Sequence, residues 1–127
     1  MPMKFHALNI QLSTSGGEYF QVVFKESEAE GASYVLMQNA FEFGRGPAYF
    51  ECHDRTLSGH GVVRRCELQR ASLEIGVTDS DTPILVTFDA PKTKVGNLAW
   101  LLPIIFAERV SFVNSSGVEE IPMEELD

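Results

Sequence analysis

Apolar and polar side chains alternate along most of the chain up to residue 90. In KFHALNIQLST (4–14), Phe5 and Ala7 share one parity, while Leu8, Ile10 and Leu12 share the other. That phase change predicts a bulge or an early bend in one extended segment. SGG (15–17) is turn chemistry. EYFQVVFK (18–25) then sets Phe20, Val22 and Phe24 on one face, with Tyr19 and Val23 opposite. A strand apolar on both faces belongs in the middle of a sheet or under a helix. ESEAEG (26–31) is a charged, solvated connection. In YVLMQNAFEF (34–43), Val35, Met37, Phe41 and Phe43 are in phase, and GRGP (44–47) stops the run. AYFECHD (48–54) alternates Ala48, Phe50 and Cys52 against Tyr49, Glu51 and His53. VVRRCEL (62–68), SLEIGVT (72–78) and ILVTFD (84–89) alternate too. Their inward sets are Val62, Cys66 and Leu68, then Leu73, Ile75 and Val77, then Ile84, Val86 and Phe88.

After Asp89 the period lengthens. Val95, Leu98, Leu102 and Ile105 recur at helical spacing. DAPKT (89–93) reads as the helix start, with Asp89 or Thr93 able to accept from free N–H groups and Pro91 near the first turn. Pro103 lacks an N–H and would leave the Ala99 carbonyl unpaired, so a kink or restart is expected there. Trp100, Leu101 and Ile104 make the other face apolar. Either the helix is covered on both sides, or the surface around Trp100 meets a partner, a second copy included. RVSFVNS (109–115) can form a final strand. GVEEIPMEELD (117–127) concentrates Glu119, Glu120, Glu124, Glu125 and Asp127 and reads as a loosely docked tail. The expected architecture is α+β and β-dominated: a mostly antiparallel sheet with one C-terminal helix packed on it. Residues 1–114 form a single globular domain in this reading, and residues 115–127 an acidic C-terminal tail.

Composition narrows the function classes. The chain has 127 residues, with 10 basic against 18 acidic side chains and a net charge of -8. Such a balance repels phosphate backbones and anionic lipid, so neither nucleic acid nor membrane is expected as a partner. It favours basic partners. The apolar run VGNLAWLLPIIFA (95–107) falls short of the roughly 18 residues of a membrane-spanning helix. No basic-then-apolar segment opens the chain, and a cytoplasmic location is expected. The two cysteines, Cys52 and Cys66, imply no disulfide framework.

The densest chemistry lies in YFECHDRTLSGHG (49–61). Cys52, His53, Asp54 and His60 are possible metal ligands. Adjacent strand residues point to opposite faces, however, and the spacing matches no recognised zinc pattern, so no metal or cofactor is expected. Cys52 and His53 diverge for the same reason. Ser58 lies within reach of His60 or Asp54 in a tight loop, but no G-x-S-x-G elbow frames it. A small hydrolase or metal-dependent enzyme using His53, Asp54, Ser58 and His60 is the alternative reading. The preferred one is a turn in which Asp54 and Ser58 cap backbone groups while Gly59 and Gly61 supply positive φ. If AYFECHD and VVRRCEL form a hairpin, Cys52 faces Cys66 inside, as two quiet, buried thiols rather than a redox pair. His6 is expected half-buried and hydrogen-bonded, and Arg64 and Arg65 to neutralise nearby carboxylates.

YVLMQNAFEF, YFECHDRTLSGHG and CELQRASLEI (66–75) together resemble immunity protein family 10 of bacterial polymorphic toxin systems. Tyr34, Leu36, Gln38, Glu42 and Phe43 fit the family's first block. Glu51, Asp54, Ser58 and Gly61 fit its turn, and Glu67, Leu68, Leu73 and Ile75 its hairpin. Ile104–Phe106 fits the end of its helix. His60 stands where an aromatic is usual, Val62 replaces a glycine, FGRGP (43–47) replaces an acidic run, and Pro103 interrupts the helix. The resemblance implies an inhibitor without catalytic residues that binds a cognate protein toxin, which the acidic balance suggests is basic. The expected partner contacts are Tyr49, Glu51, His53, Asp54 and Arg55, on or beside the strand face opposite Cys52.

Overall fold

The phase change in the opening segment marks where the chain passes from one sheet to another. The structure, a computed structural model, describes residues 3–16, 18–41, 46–78 and 80–123. Strands β1 (Met3–Ala7) and β2 (Asn9–Ser15) are separated by Leu8 alone. There follow β3 (Tyr19–Lys25), β4 (Tyr34–Ala40), β5 (Tyr49–Cys52), a 3-10 turn at Arg55–Leu57 and β6 (Gly59–His60). The chain continues through β7 (Val63–Leu68), β8 (Ser72–Val77), β9 (Ile84–Phe88), helix α1 (Lys92–Phe106) and β10 (Ser111–Asn114). One sheet has the order β1-β9-β8-β7-β10 and the second β2-β3-β4-β5-β6. All pairings are antiparallel except β1 with β9 and β7 with β10. The fold is thus α+β and β-dominated, with α1 packed against β3, β4 and β10.

Two corners join the sheets. At Leu8, which is 72% exposed, the inward parity switches, so Phe5 and Ala7 fill the core before the bend and Thr14 after it. The second corner is Gly61–Val62. Gly61 has φ 68, its N–H donates to the Ala48 carbonyl at 2.9 Å, and a Cβ there would meet the Pro47 ring at 3.4 Å. A register shift between Val63 and Arg65 then buries Val63, not Val62. The inward faces share one core. Phe24 of β3 meets Phe88 of β9 with ring centroids 6.0 Å apart, which joins the two sheets directly. As its apolar faces require, β3 lies mid-sheet and under the helix. Glu42 and Phe43, which close the 34–43 segment, lie outside the described residues.

The two-sheet arrangement overturns the expected cysteine hairpin. Cys52 pairs with Val35 in the second sheet, whereas Cys66 pairs with Ile75 and Phe112 in the first. The strand after the turn does return to β5, but only over Gly59–His60. Both thiols are free and buried, and burial raises the pKa of each. His6 is exposed rather than half-buried, with Nδ1 2.9 Å from Thr87 Oγ1. Arg65 does meet a carboxylate, Glu74, at 3.3 Å.

Neither Asp89 nor Thr93 caps α1. Pro91 occupies the cap position without a side-chain bond, because the helix begins at Lys92: Asp89 lies too far upstream and Thr93 is already inside the first turn. The helix also continues through Pro103 without a restart and ends at Phe106. Most of its residues are buried, so both faces are covered, although Trp100 is only half-buried. Phe41, Trp100, Pro103, Ile104, Ala107 and Glu120 line much of a groove of about 340 Å³ beside it. Among the described residues no helix is long and apolar enough to cross a membrane.

The segment after β10 is held more firmly than its composition suggests. Ser116 and Val118 are buried. Ile121 donates its N–H to the Gly96 carbonyl at 3.0 Å, and Asn97 Nδ2 donates to the Ile121 carbonyl at 2.7 Å. Glu119 and Glu120 stay exposed, while Glu124, Glu125 and Asp127 lie outside the described residues. Gly96 makes this crossing possible: a Cβ there would stand 2.5 Å from Ile121 Cδ1 and 3.0 Å from the Glu119 carbonyl. Gly96→Ala should therefore cost about 1 kcal/mol net, since crowding of about 1–3 kcal/mol is offset by about 1 kcal/mol of helix propensity. Amide exchange at Ile121 should accelerate in that variant. Unchanged protection of Ile121 would show that the segment tolerates the methyl group.

Candidate protein-interaction face

Strand alternation gives the second sheet an outer face unlike that of the first. Phe20, Val22 and Phe24 point into the core, so Tyr19, Gln21, Val23 and Lys25 point out. In β4, Val35, Met37 and Asn39 are buried, leaving Tyr34, Leu36 and Gln38 outside. The β5 pattern exposes Tyr49 and Glu51 over buried Phe50 and Cys52. Pairing sets these residues into rows. One runs Gln11, Val23, Leu36, Glu51, and the next Ser13, Gln21, Gln38, Tyr49, His60. Flanking rows carry Asn9, Lys25 and Tyr34 on one side and Ser15, Tyr19 and Ala40 on the other.

All three tyrosines of the chain therefore share one sheet face. Gln38 ties two rows together, its Oε1 accepting from the Tyr19 hydroxyl at 3.2 Å and from Gln21 Nε2 at 3.4 Å. In the paired rows the only lysine, arginine or acidic side chains are Lys25 and Glu51, and Lys25 is already matched by Glu28 at 3.5 Å. The outer face of the first sheet differs, with Lys4, His6, Arg65, Glu67 and Glu74 along it. That is an ordinary solvated surface. Depletion of charge with enrichment of tyrosine distinguishes the core of a protein interface from such a surface. Tyrosine offers large contact area at low entropic cost and a hydroxyl that pairs in several geometries.

Glu51 is the organised charge of the face. The Tyr34 hydroxyl donates to Glu51 Oε2 at 2.6 Å, and the Tyr49 hydroxyl to Oε1 at 2.8 Å. These bonds favour the carboxylate and hold its pKa below the ordinary value, while the Tyr34 phenol is pushed up to about 12. His60 lies against the Tyr49 ring, centroids 5.0 Å apart. Tyr34, Tyr49, Glu51, Arg55 and Ser58 line a cavity of about 360 Å³.

The sequence-based contacts distribute unevenly over this geometry. Tyr49 and Glu51 lie on the face. His53 stands exposed beyond the end of β5, its Nδ1 accepting from the Tyr34 N–H at 3.2 Å. Asp54 serves the turn: its Oδ1 accepts from the Thr56 N–H at 3.0 Å and the Thr56 hydroxyl at 2.6 Å. Arg55 is exposed in the same turn, and its side chain makes no hydrogen bond or ion pair among the described residues. It borders a second cavity of about 370 Å³, shared with Tyr34, Cys52 and His53. Ser58 Oγ accepts from the Cys52 N–H at 3.2 Å. Gly59 and Gly61 take φ 150 and 68. His53, Asp54, Ser58 and His60 thus each serve a local partner, and among the described residues no two side chains of that set bond each other. No group of three or more His, Cys, Asp or Glu side chains among the described residues is placed to hold a metal ion.

Sequence reasoning missed Tyr19, Gln21, Tyr34, Leu36 and Gln38 as members of this surface. The usable signal is the Tyr19–Val23 parity in β3, which puts an apolar and aromatic set on the solvent side.

The Glu51 cluster carries a pH signature. Its folded pKa is depressed, so its stabilising contribution is present above the unfolded value near 4.5 and is lost as pH falls through the folded value. The Tyr34 pKa is raised, so its contribution is present below about 10 and lost as pH climbs through about 12. In an alkaline absorbance titration, one phenol should ionise near pH 12 and shift downward in Glu51→Gln. Three tyrosines titrating together near pH 10, with Glu51→Gln unchanged, would show that the clamp does not form.

No family model matches the chain, and among curated proteins and solved structures there is likewise no significant match.

Proposed function

We propose that the chain is an immunity-type binding protein that neutralises a cognate bacterial toxin through the outer face of its second sheet. The observation that carries the reading is the placement of all three tyrosines on one nearly uncharged sheet face, beside a first sheet whose outer face is ordinarily charged. The resemblance of the 34–43, 49–61 and 66–75 segments to immunity protein family 10 supports the same class. The net charge of -8 supports a basic toxin, since opposite charge accelerates encounter while the uncharged face supplies close contact. In this reading the protein acts in the cytoplasm and needs no catalytic residue or cofactor.

The test is a binding titration of the purified protein against the product of the adjacent gene, at low and high salt. Tight 1:1 binding that abolishes the partner's toxicity and slows in association at high salt is the expected result. An adjacent product that neither binds nor harms cells removes the reading.

A further inference from the structure

We infer that the cavity at Glu51 is a receptor for one basic side chain of the protein partner, an arginine, gripped by the carboxylate between Tyr34 and Tyr49. The inference rests on the reading of this face as a protein-binding surface and names the chemistry it takes. A carboxylate offers about four acceptor positions. The two phenols take one on each oxygen, at 2.6 and 2.8 Å, and fix the group in one orientation. The remaining positions match the two parallel N–H groups of a guanidinium, which carboxylates bind in bidentate fashion. Tyr34 and Tyr49 line the cavity on either side of the carboxylate, and aromatic rings beside a carboxylate favour a planar cation. The volume of about 360 Å³ leaves room for a side-chain head together with part of its stem.

Charge singles out Glu51 as well. It is the only acid in the paired rows, and no lysine or arginine among the described residues forms an ion pair with it. The Arg55 charge acts on Glu51 through space without forming an ion pair, which leaves direct contact with the carboxylate to a basic side chain from outside. Arg55 borders the same cavity without an ion pair of its own among the described residues. It acts against an incoming cation and sets the sign of a second test.

The probe is Nα-acetyl-arginine amide, titrated at constant ionic strength and followed by the ring-proton NMR signals of Tyr34 and Tyr49. The uncharged Nα-acetyl-citrulline amide is the control. Arginine should give saturable shifts and citrulline none. Glu51→Gln should weaken the arginine response about tenfold, the loss of a charge-assisted pair. Arg55→Gln should strengthen it about twofold by removing a screened like charge. Both substitutions are on exposed or half-exposed side chains, and a cooperative thermal transition in each variant confirms folding. No saturable shift in the parent protein, equal response to citrulline, an unaltered Glu51→Gln or weaker binding in Arg55→Gln would each overturn the inference. None of these readouts uses the toxin, so they stand apart from the titration that tests the broader function.

Discussion

Asn39→Asp should destabilise the fold by about 3 kcal/mol or more at neutral pH, and Asn39→Leu by about 1–3 kcal/mol. Asn39 is 7% exposed on the inward face of β4, a polar side chain inside an apolar core. Its amide nitrogen donates to the Ile105 carbonyl at 2.8 Å and the Gly46 carbonyl at 3.0 Å. The first bond explains how α1 ends. A helix leaves its last four carbonyls without intrahelical partners. Here the left-handed Ala107 donates its N–H to the Pro103 and Ile104 carbonyls, and the Arg109 N–H reaches the Phe106 carbonyl. Asn39 supplies the remaining donor. Leucine would fill the space but leave a buried carbonyl unpaired. Aspartate would place a carboxylate against two carbonyl oxygens with nothing to donate. Because that carboxyl would have a folded pKa above its unfolded value, the penalty of Asn39→Asp should shrink on acidification, when the protonated group can donate again. Urea unfolding at about pH 4.5 and about pH 7, on either side of the expected titration, would show this. Equal midpoints for Asn39→Asp and the parent at both values would mean that the bond to Ile105 contributes nothing.

Asn39 also illustrates which features of the fold were legible in the sequence. Alternation in Phe20, Val22 and Phe24, or in Leu73, Ile75 and Val77, reports which side of a strand is buried, because the pleat has a strict period of two. It does not report which strand lies alongside. The buried set of β5 looks the same whether Cys52 pairs with Val35, as it does, or with Cys66. Pairing between neighbours in sequence is the natural expectation, and the chain escapes it by giving β6 only Gly59–His60 before turning the corner at Gly61. The break at Leu8 was legible as a bend, but that it hands the chain to a different sheet depends on β9, which is remote in sequence. The candidate face divides in the same way. Tyr49 and Glu51 could be placed outward from their own strand. Their union with Tyr19, Gln21, Tyr34 and Gln38 exists only through the order β3-β4-β5. Polar residues buried in the core are the hardest to read, since Asn39 in the sequence looks like any polar position near a strand end.

Tyr49 and its neighbour Phe50 should separate folding from binding. Phe50 is fully buried and pairs with Met37 and Gly59, so Phe50→Ala should cost about 3–5 kcal/mol through lost burial and the cavity left behind. In a domain whose total stability is on the order of 5–15 kcal/mol, that leaves a much smaller folded margin, and the outer face weakens with it. Tyr49→Ala removes a hydroxyl bond to Glu51 at 2.8 Å and the ring contact with His60, both at the half-exposed surface. Its effect on stability should stay within about 1 kcal/mol. Its effect on partner affinity should reach about 2 kcal/mol, roughly thirtyfold, because a tyrosine that also orients the charged group of the face is the kind of residue on which binding energy concentrates. Urea midpoints and partner titrations on the same two variants provide the comparison. If Tyr49→Ala binds as tightly as the parent while remaining folded, the partner does not use this face. If Phe50→Ala keeps the parent midpoint, β5 is not packed as described, and the rows that align Tyr49 with Gln38 and Glu51 with Leu36 lose their basis.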